Sequence, residues 1–84
     1  MNNILLEIQN EITRAEIKHP VWPTCNLKRA AFVSGEAGEA LKEAIKLYEG
    51  KGDLENLRTE LIQAAGTCIR MVKAMDKDKI ETAK

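Results

Sequence analysis

An apolar repeat of helical period runs through this chain and is interrupted in only two places. From about Asn3 to Lys18 the apolar positions are Ile4, Leu5, Ile8, Ile12 and Ala15, leaving Glu7, Asn10, Glu11 and Arg14 for an outer face. His19-Pro20-Val21-Trp22-Pro23-Thr24 then breaks the pattern, because each proline disfavours helical angles in the residue before it. A second helix is predicted from about Asn26 to Tyr48 or Glu49, burying Leu27, Ala30, Val33, Ala37, Leu41, Ala44 and Tyr48. Gly50-Lys51-Gly52-Asp53 stops it: glycine suits the left-handed position after a helix, and Asp53 can cap the next one. The third helix is predicted from about Leu54 to Met75, burying Leu54, Leu57, Leu61, Ala64, Ala65, Cys68, Val72 and Met75. Nothing in the chain alternates with the period of a strand. The expected fold is all-α, an antiparallel bundle of three helices over residues 1–76, with a polar tail over 77–84 that frays.

Composition bears on what completes such a bundle. The chain has 84 residues, room for one domain, and ten of its apolar residues are alanine; Trp22, Phe32 and Tyr48 are the aromatics. A chain this short buries only about 60% of its unfolded surface, which predicts a homo-oligomer, a dimer or a tetramer. With 13 Lys+Arg against 13 Asp+Glu spread along the chain, no nucleic-acid or membrane partner is expected. No apolar run is long enough to span a bilayer, and Glu7 and Glu11 fall where a signal peptide needs apolar residues. Cys25 and Cys68 form no close pair that would read as a disulfide framework or zinc site. A cytoplasmic setting is the expectation by elimination.

Several polar residues are placed where solvation alone does not require them. Glu36, Glu39 and Glu43 share one side of the second helix, where like charges repel unless a cation lies between them. Gly35 and Gly38 sit beside them, each costing roughly 0.5–1 kcal/mol relative to alanine inside a helix. Together they suggest close approach by something else, although an ExxE on one helix is most often a solvated acidic face. On the third helix Asn56, Glu60, Gln63, Thr67 and Arg70 form a polar stripe flanked by Ala64, Ala65 and Gly66. In an antiparallel hairpin Glu36 and Glu39 face Glu60 and Gln63, with an axial mismatch between Glu39 and Glu60 of roughly 6 Å, about one helical turn, which side chains can span. Three carboxylates and a carboxamide oxygen are hard donors suited to Mg²⁺ or Mn²⁺. A salt-bridged exposed face is the other reading of the same spacing.

Ser34-Gly35-Glu36-Ala37-Gly38-Glu39-Ala40-Leu41 followed by Glu60-Leu61-Ile62-Gln63 resembles the MazG-like all-α nucleotide pyrophosphohydrolases, particularly the short phage and prophage members. Trp22-Pro23, Tyr48-Glu49-Gly50 and the run from Leu57 through Ala65 to Ile69-Arg70 extend the resemblance over about residues 19–72. The resemblance implies Mg²⁺- or Mn²⁺-dependent hydrolysis of a nucleoside triphosphate between its α- and β-phosphates, giving a monophosphate and pyrophosphate. Glu36, Glu39 and Glu60 would be metal ligands, one of them orienting the attacking water, with Gln63 completing the set. Lys28, Trp22 and Arg70 are the candidates for holding phosphate and base, with Arg29, Lys42 or a second subunit as further sources of positive charge. His19 reads as a helix-terminus residue, Cys25 as a thiol near a helix start, and Cys68 as a small core residue. Gln63 stands where the family's ExxD has Asp, Gly35 stands where many relatives carry a further Glu, and the family's later phosphate-binding helix has no counterpart here. The alternative is therefore a catalytically degenerate module of the same fold that binds nucleotide, metal or protein. A plain helical assembly protein is a third reading.

Overall fold

The computed structural model describes residues 2–83, with side chains over 3–79. Three helices follow one another, α1 (Asn2–Lys18), α2 (Asn26–Tyr48) and α3 (Leu54–Ala83), and no strand occurs among the described residues. The prolines and the glycine turn act where the sequence places them. Gly50 adopts φ +76°, a conformation open to glycine without steric cost. Asp53 Oδ1 accepts the Glu55 N–H at 2.7 Å and so caps α3. The cap of α2 is less expected: Cys25 is extended, and its sulfur accepts the Lys28 N–H at 3.5 Å.

α3 is the axis of the molecule. It packs against α2 through the hairpin and against α1 along another side, whereas among the described residues α1 and α2 do not bring their Cα atoms within 8 Å of each other. α1 and α3 come close at Gly66, where a Cβ would lie 3.4 Å from Glu11 Cγ and 3.5 Å from Ile12 Cγ1, an ordinary van der Waals contact. Much of the tie between helices is polar. Arg58 grips Glu7 with two hydrogen bonds, of 2.6 and 2.5 Å, and Lys73 reaches Glu16 at 3.3 Å. The guanidinium of Arg58 holds the Glu7 carboxyl below its ordinary range.

Two expectations change. α3 runs on through the polar segment expected to fray, as far as Ala83. Part of the reason is Asp78, which Arg29 Nη1 reaches from α2 at 2.7 Å. The larger change concerns the core. Among the described hydrophobic residues only Ile12 and Ala40 are buried, and Leu27, Leu41, Tyr48, Leu54, Leu61, Val72 and Met75, read from periodicity as core, are exposed. Ala30, Ala37 and Cys68 are exposed with them. Periodicity identifies which residues share a stripe, but a stripe is buried only when something covers it. Here α2 turns Ala40 and its neighbours to α3, leaving the Leu27–Leu41–Tyr48 stripe to one side.

Candidate functional site

Because α1 and α2 stand apart on either side of α3, a cleft of about 230 Å³ opens between them. Ile12 and Ala15 of α1 form one wall, Phe32 and Glu36 of α2 the other, and Gln63, Gly66, Thr67 and Arg70 of α3 form the floor. The connector closes one end with His19, Val21, Trp22 and Pro23. The connector has no regular secondary structure, and α3 anchors it: Arg70 Nη2 donates to the His19 carbonyl at 3.0 Å.

Four of the residues singled out from the sequence, Glu36, Gln63, Trp22 and Arg70, therefore line one cleft. Glu36 also borders a shallower depression with Lys28, Glu39, Gly35 and Phe32. Glu60 is half-buried on α3 rather than on the cleft wall. Desolvation raises its pKa, and the charges of Glu36, Glu39 and Glu43 raise it further, with Lys42 acting weakly the other way. Glu60 thus senses all three α2 carboxylates, as an antiparallel hairpin requires. The four expected ligands nevertheless do not form a closed cage. Among the described residues no three His, Cys, Asp or Glu side chains are gathered closely enough to hold a metal ion. Glu39 lies 3.7 Å from Lys42, and Glu43 lies 2.9 Å from Lys46, whose ammonium it holds above the ordinary lysine range.

The cleft is aromatic at the connector end. Trp22 stacks on Phe32 with ring centroids 5.7 Å apart at 30°, and the Arg70 guanidinium lies 4.4 Å from the Trp22 ring centre. A guanidinium over an indole face is an attractive cation–π contact. The indole N–H is buried and has no hydrogen-bond partner among the described residues. An unsatisfied buried donor costs about 1–3 kcal/mol, which an acceptor on a bound molecule would recover.

Arg29 plays a different part from the one considered for it. It is 3% exposed, with Nε donating to the Pro23 carbonyl at 2.7 Å. Nη1 donates to Asn26 Oδ1 at 2.9 Å and to Asp78 Oδ2 at 2.7 Å. It is a staple joining the connector, α2 and α3. Thr67, a member of the α3 polar stripe, also lines the cleft, together with Phe32 and with Glu11, which the sequence placed on an outer face. Phe32 is ten positions from Trp22 on a different element, so no local signal relates the two. Comparison with known families, curated proteins and solved structures yields no match.

Proposed function

We propose that this chain is a metal-dependent nucleotide pyrophosphohydrolase of the MazG-like kind, working as a homo-oligomer. The reading is carried by one observation: Glu36 and Gln63 line the same cleft as the Trp22–Phe32 stack and Arg70, while Glu60 faces the acidic side of α2. An oxygen-donor end and an aromatic, cationic end side by side match the two halves of a nucleotide. Desolvation, and after it the charges of Glu36, Glu39 and Glu43, raise the pKa of Glu60, an environment in which a cation would be favoured. Hard oxygen donors fit Mg²⁺ or Mn²⁺, and Glu36, Glu39 and Glu60, with the Gln63 carbonyl oxygen, are the residues that would hold it. The ion, when bound, neutralises phosphate charge and lowers the pKa of water. Such a set requires the α2 and α3 side chains to close by rotamer change, since among the described residues no three-acid group is preassembled.

The chain's own residues then have distinct tasks. One of the three glutamates orients water for attack on the α-phosphorus, where positioning and charge neutralisation dominate the chemistry. Trp22 and Phe32 present aromatic faces to a base, the Trp22 N–H offers a donor, and Arg70 and Lys28 offer positive charge to the phosphates.

The test is pyrophosphate release from a panel of ribo- and deoxyribonucleoside triphosphates with Mg²⁺ or Mn²⁺. Turnover is expected, with Glu36→Gln, Glu39→Gln and Glu60→Gln each lowering it by about 10²–10⁴-fold, the range associated with a positioned general base. A folded protein that releases pyrophosphate from no member of the panel with either ion rejects the hydrolase reading. A second reading follows from the neutral residue at Gln63: a module that binds nucleotide without turnover. Under that reading nucleotide raises the melting temperature, the wild type is inactive, and Gln63→Asp gains activity.

A further inference from the structure

We propose that Asp78, near the end of α3, is a positioning residue for the cleft: through Arg29 it fixes the connector, and with it Trp22, at the aromatic end of the cleft. This role rests on the cleft being the ligand site of the reading above, and it makes the last turns of α3 part of what holds a ligand.

The connector is held at two carbonyls, and both holds lead back to α3. Arg70 Nη2 donates to the His19 carbonyl at 3.0 Å. Further along α3, by about 12 Å of helical rise, Asp78 Oδ2 accepts from Arg29 Nη1 at 2.7 Å. Arg29 Nε in turn donates to the Pro23 carbonyl at 2.7 Å. Trp22 lies between the two held carbonyls and directly before the second. Its ring meets Phe32 at 5.7 Å between centroids and the Arg70 guanidinium at 4.4 Å. Trp22 and Arg70 line both the cleft and a second cavity of about 630 Å³, to whose wall Arg29 and Asp78 also belong. Trp22 thus stands between the ligand site and the staple.

Burial makes the carboxylate decisive. Arg29 is 3% exposed, and a buried guanidinium stripped of its counter-ion is strongly disfavoured. The relief open to it is to turn outward through the cavity, which withdraws the donor from the Pro23 carbonyl. Among the described residues that donor makes the only hydrogen bond reaching residues 20–24, and Pro20, Val21 and Thr24 are exposed. A segment with so few bonds and so little burial opens locally at low cost while the helices stay formed. Lys73 supplies the contrast. It lines the same cavity and pairs with Glu16 of α1 at 3.3 Å, yet it makes no bond to the connector.

Trp22 is the only tryptophan, so its fluorescence in the ligand-free full chain reports on the connector directly. Asp78→Asn is expected to raise the acrylamide quenching constant of the native protein at least about twofold with helical circular dichroism unchanged, the signature of local opening. Asp78→Glu, which keeps the carboxylate, and Lys73→Gln, which breaks the pair with Glu16, are expected to stay at the wild-type value. A merely structural Asp78 lowers the melting temperature without moving quenching below the transition; that result overturns the proposal, as does an equal rise in either control. Should Asp78→Asn lose its helices, Arg29→Lys decides by the same criterion, since an ammonium lacks the fixed fork that holds carbonyl and carboxylate together. With nucleoside triphosphate and Mg²⁺, Asp78→Asn is expected to raise KM at least about fivefold and to keep kcat within about twofold, a loss of uniform binding. An active variant with unchanged KM overturns the proposal too. Increased quenching in a protein that cleaves no triphosphate rejects the enzyme reading alone, and unchanged quenching rejects the role of Asp78 whether or not triphosphate is cleaved.

Discussion

Glu60 is the residue whose environment is most at odds with its charge. Its folded-state pKa is raised, chiefly by desolvation and then by Glu36, Glu39 and Glu43. The native state consequently holds this proton more tightly than the unfolded chain. The stability it contributes is present below the ordinary value of 4.5 and is lost as pH rises through the raised value. Glu60→Gln is expected to melt higher than the wild type at neutral pH without metal, with the difference vanishing below about pH 4.5. Under the metal-site reading, millimolar Mg²⁺ or Mn²⁺ stabilises the wild type and not the variant. Thermal melts across pH with and without the ion check both. Glu7 and Asp78 run the other way, each held low mainly by its hydrogen bond to an arginine, Arg58 and Arg29 respectively. Their contribution is present above their unfolded values and lost as pH falls through the lowered ones. Arg29 carries the larger penalty on removal. Arg29→Met leaves the Pro23 carbonyl and Asn26 without their donor, and the loss of charge-assisted bonds is expected to cost roughly 1.5–3 kcal/mol in a urea titration. None of this is legible along the chain, because Arg29 meets Asp78 from 49 positions away.

At the scale of elements, the punctuation was readable and the surroundings were not. Proline and glycine act through the backbone dihedrals of their own and adjacent residues, so both connectors and the Asp53 cap follow from sequence. Gly50→Ala places a side chain at φ +76° and is expected to cost about 1–2 kcal/mol. Gly52→Ala drives a Cβ to 2.7 Å from the Leu47 backbone nitrogen, so the turn must move. Gly35 behaves differently. Its helical position suggested a close approach by another group, yet a Cβ there would meet nothing within 4 Å. Gly35→Ala is therefore expected to stabilise the chain by roughly 0.5–1 kcal/mol, measured by denaturant unfolding. If the more stable variant loses nucleotide affinity, the ligand lies over residue 35. α3 runs past the polar boundary expected from sequence because the partner of that segment is distant in the chain, Arg29 at the start of α2.

For the whole molecule, large apolar residues of all three helices are exposed in the single chain. Under the homo-oligomer reading, a chain that folds as it pairs has a melting temperature that depends on its concentration. Each tenfold increase in chain concentration is expected to add about 1.4 kcal/mol, a shift of several degrees in calorimetry at this size. A concentration-independent transition means that the chain folds alone. Sequence by itself determined the three helices, the two breaks between them, the residues sharing each stripe and the acidic side of α2. These follow from local dihedral preferences and from the period of the helix, which act over a few residues. Only the tertiary structure decided that the leucine stripes face outward, that Trp22 stacks on Phe32 beneath Arg70, and that Arg29 is a staple. Those outcomes depend on the rotation of each helix about its own axis and on which helix lies beside which. Such quantities are set by the sum of all contacts, and no local stretch of this chain encodes them.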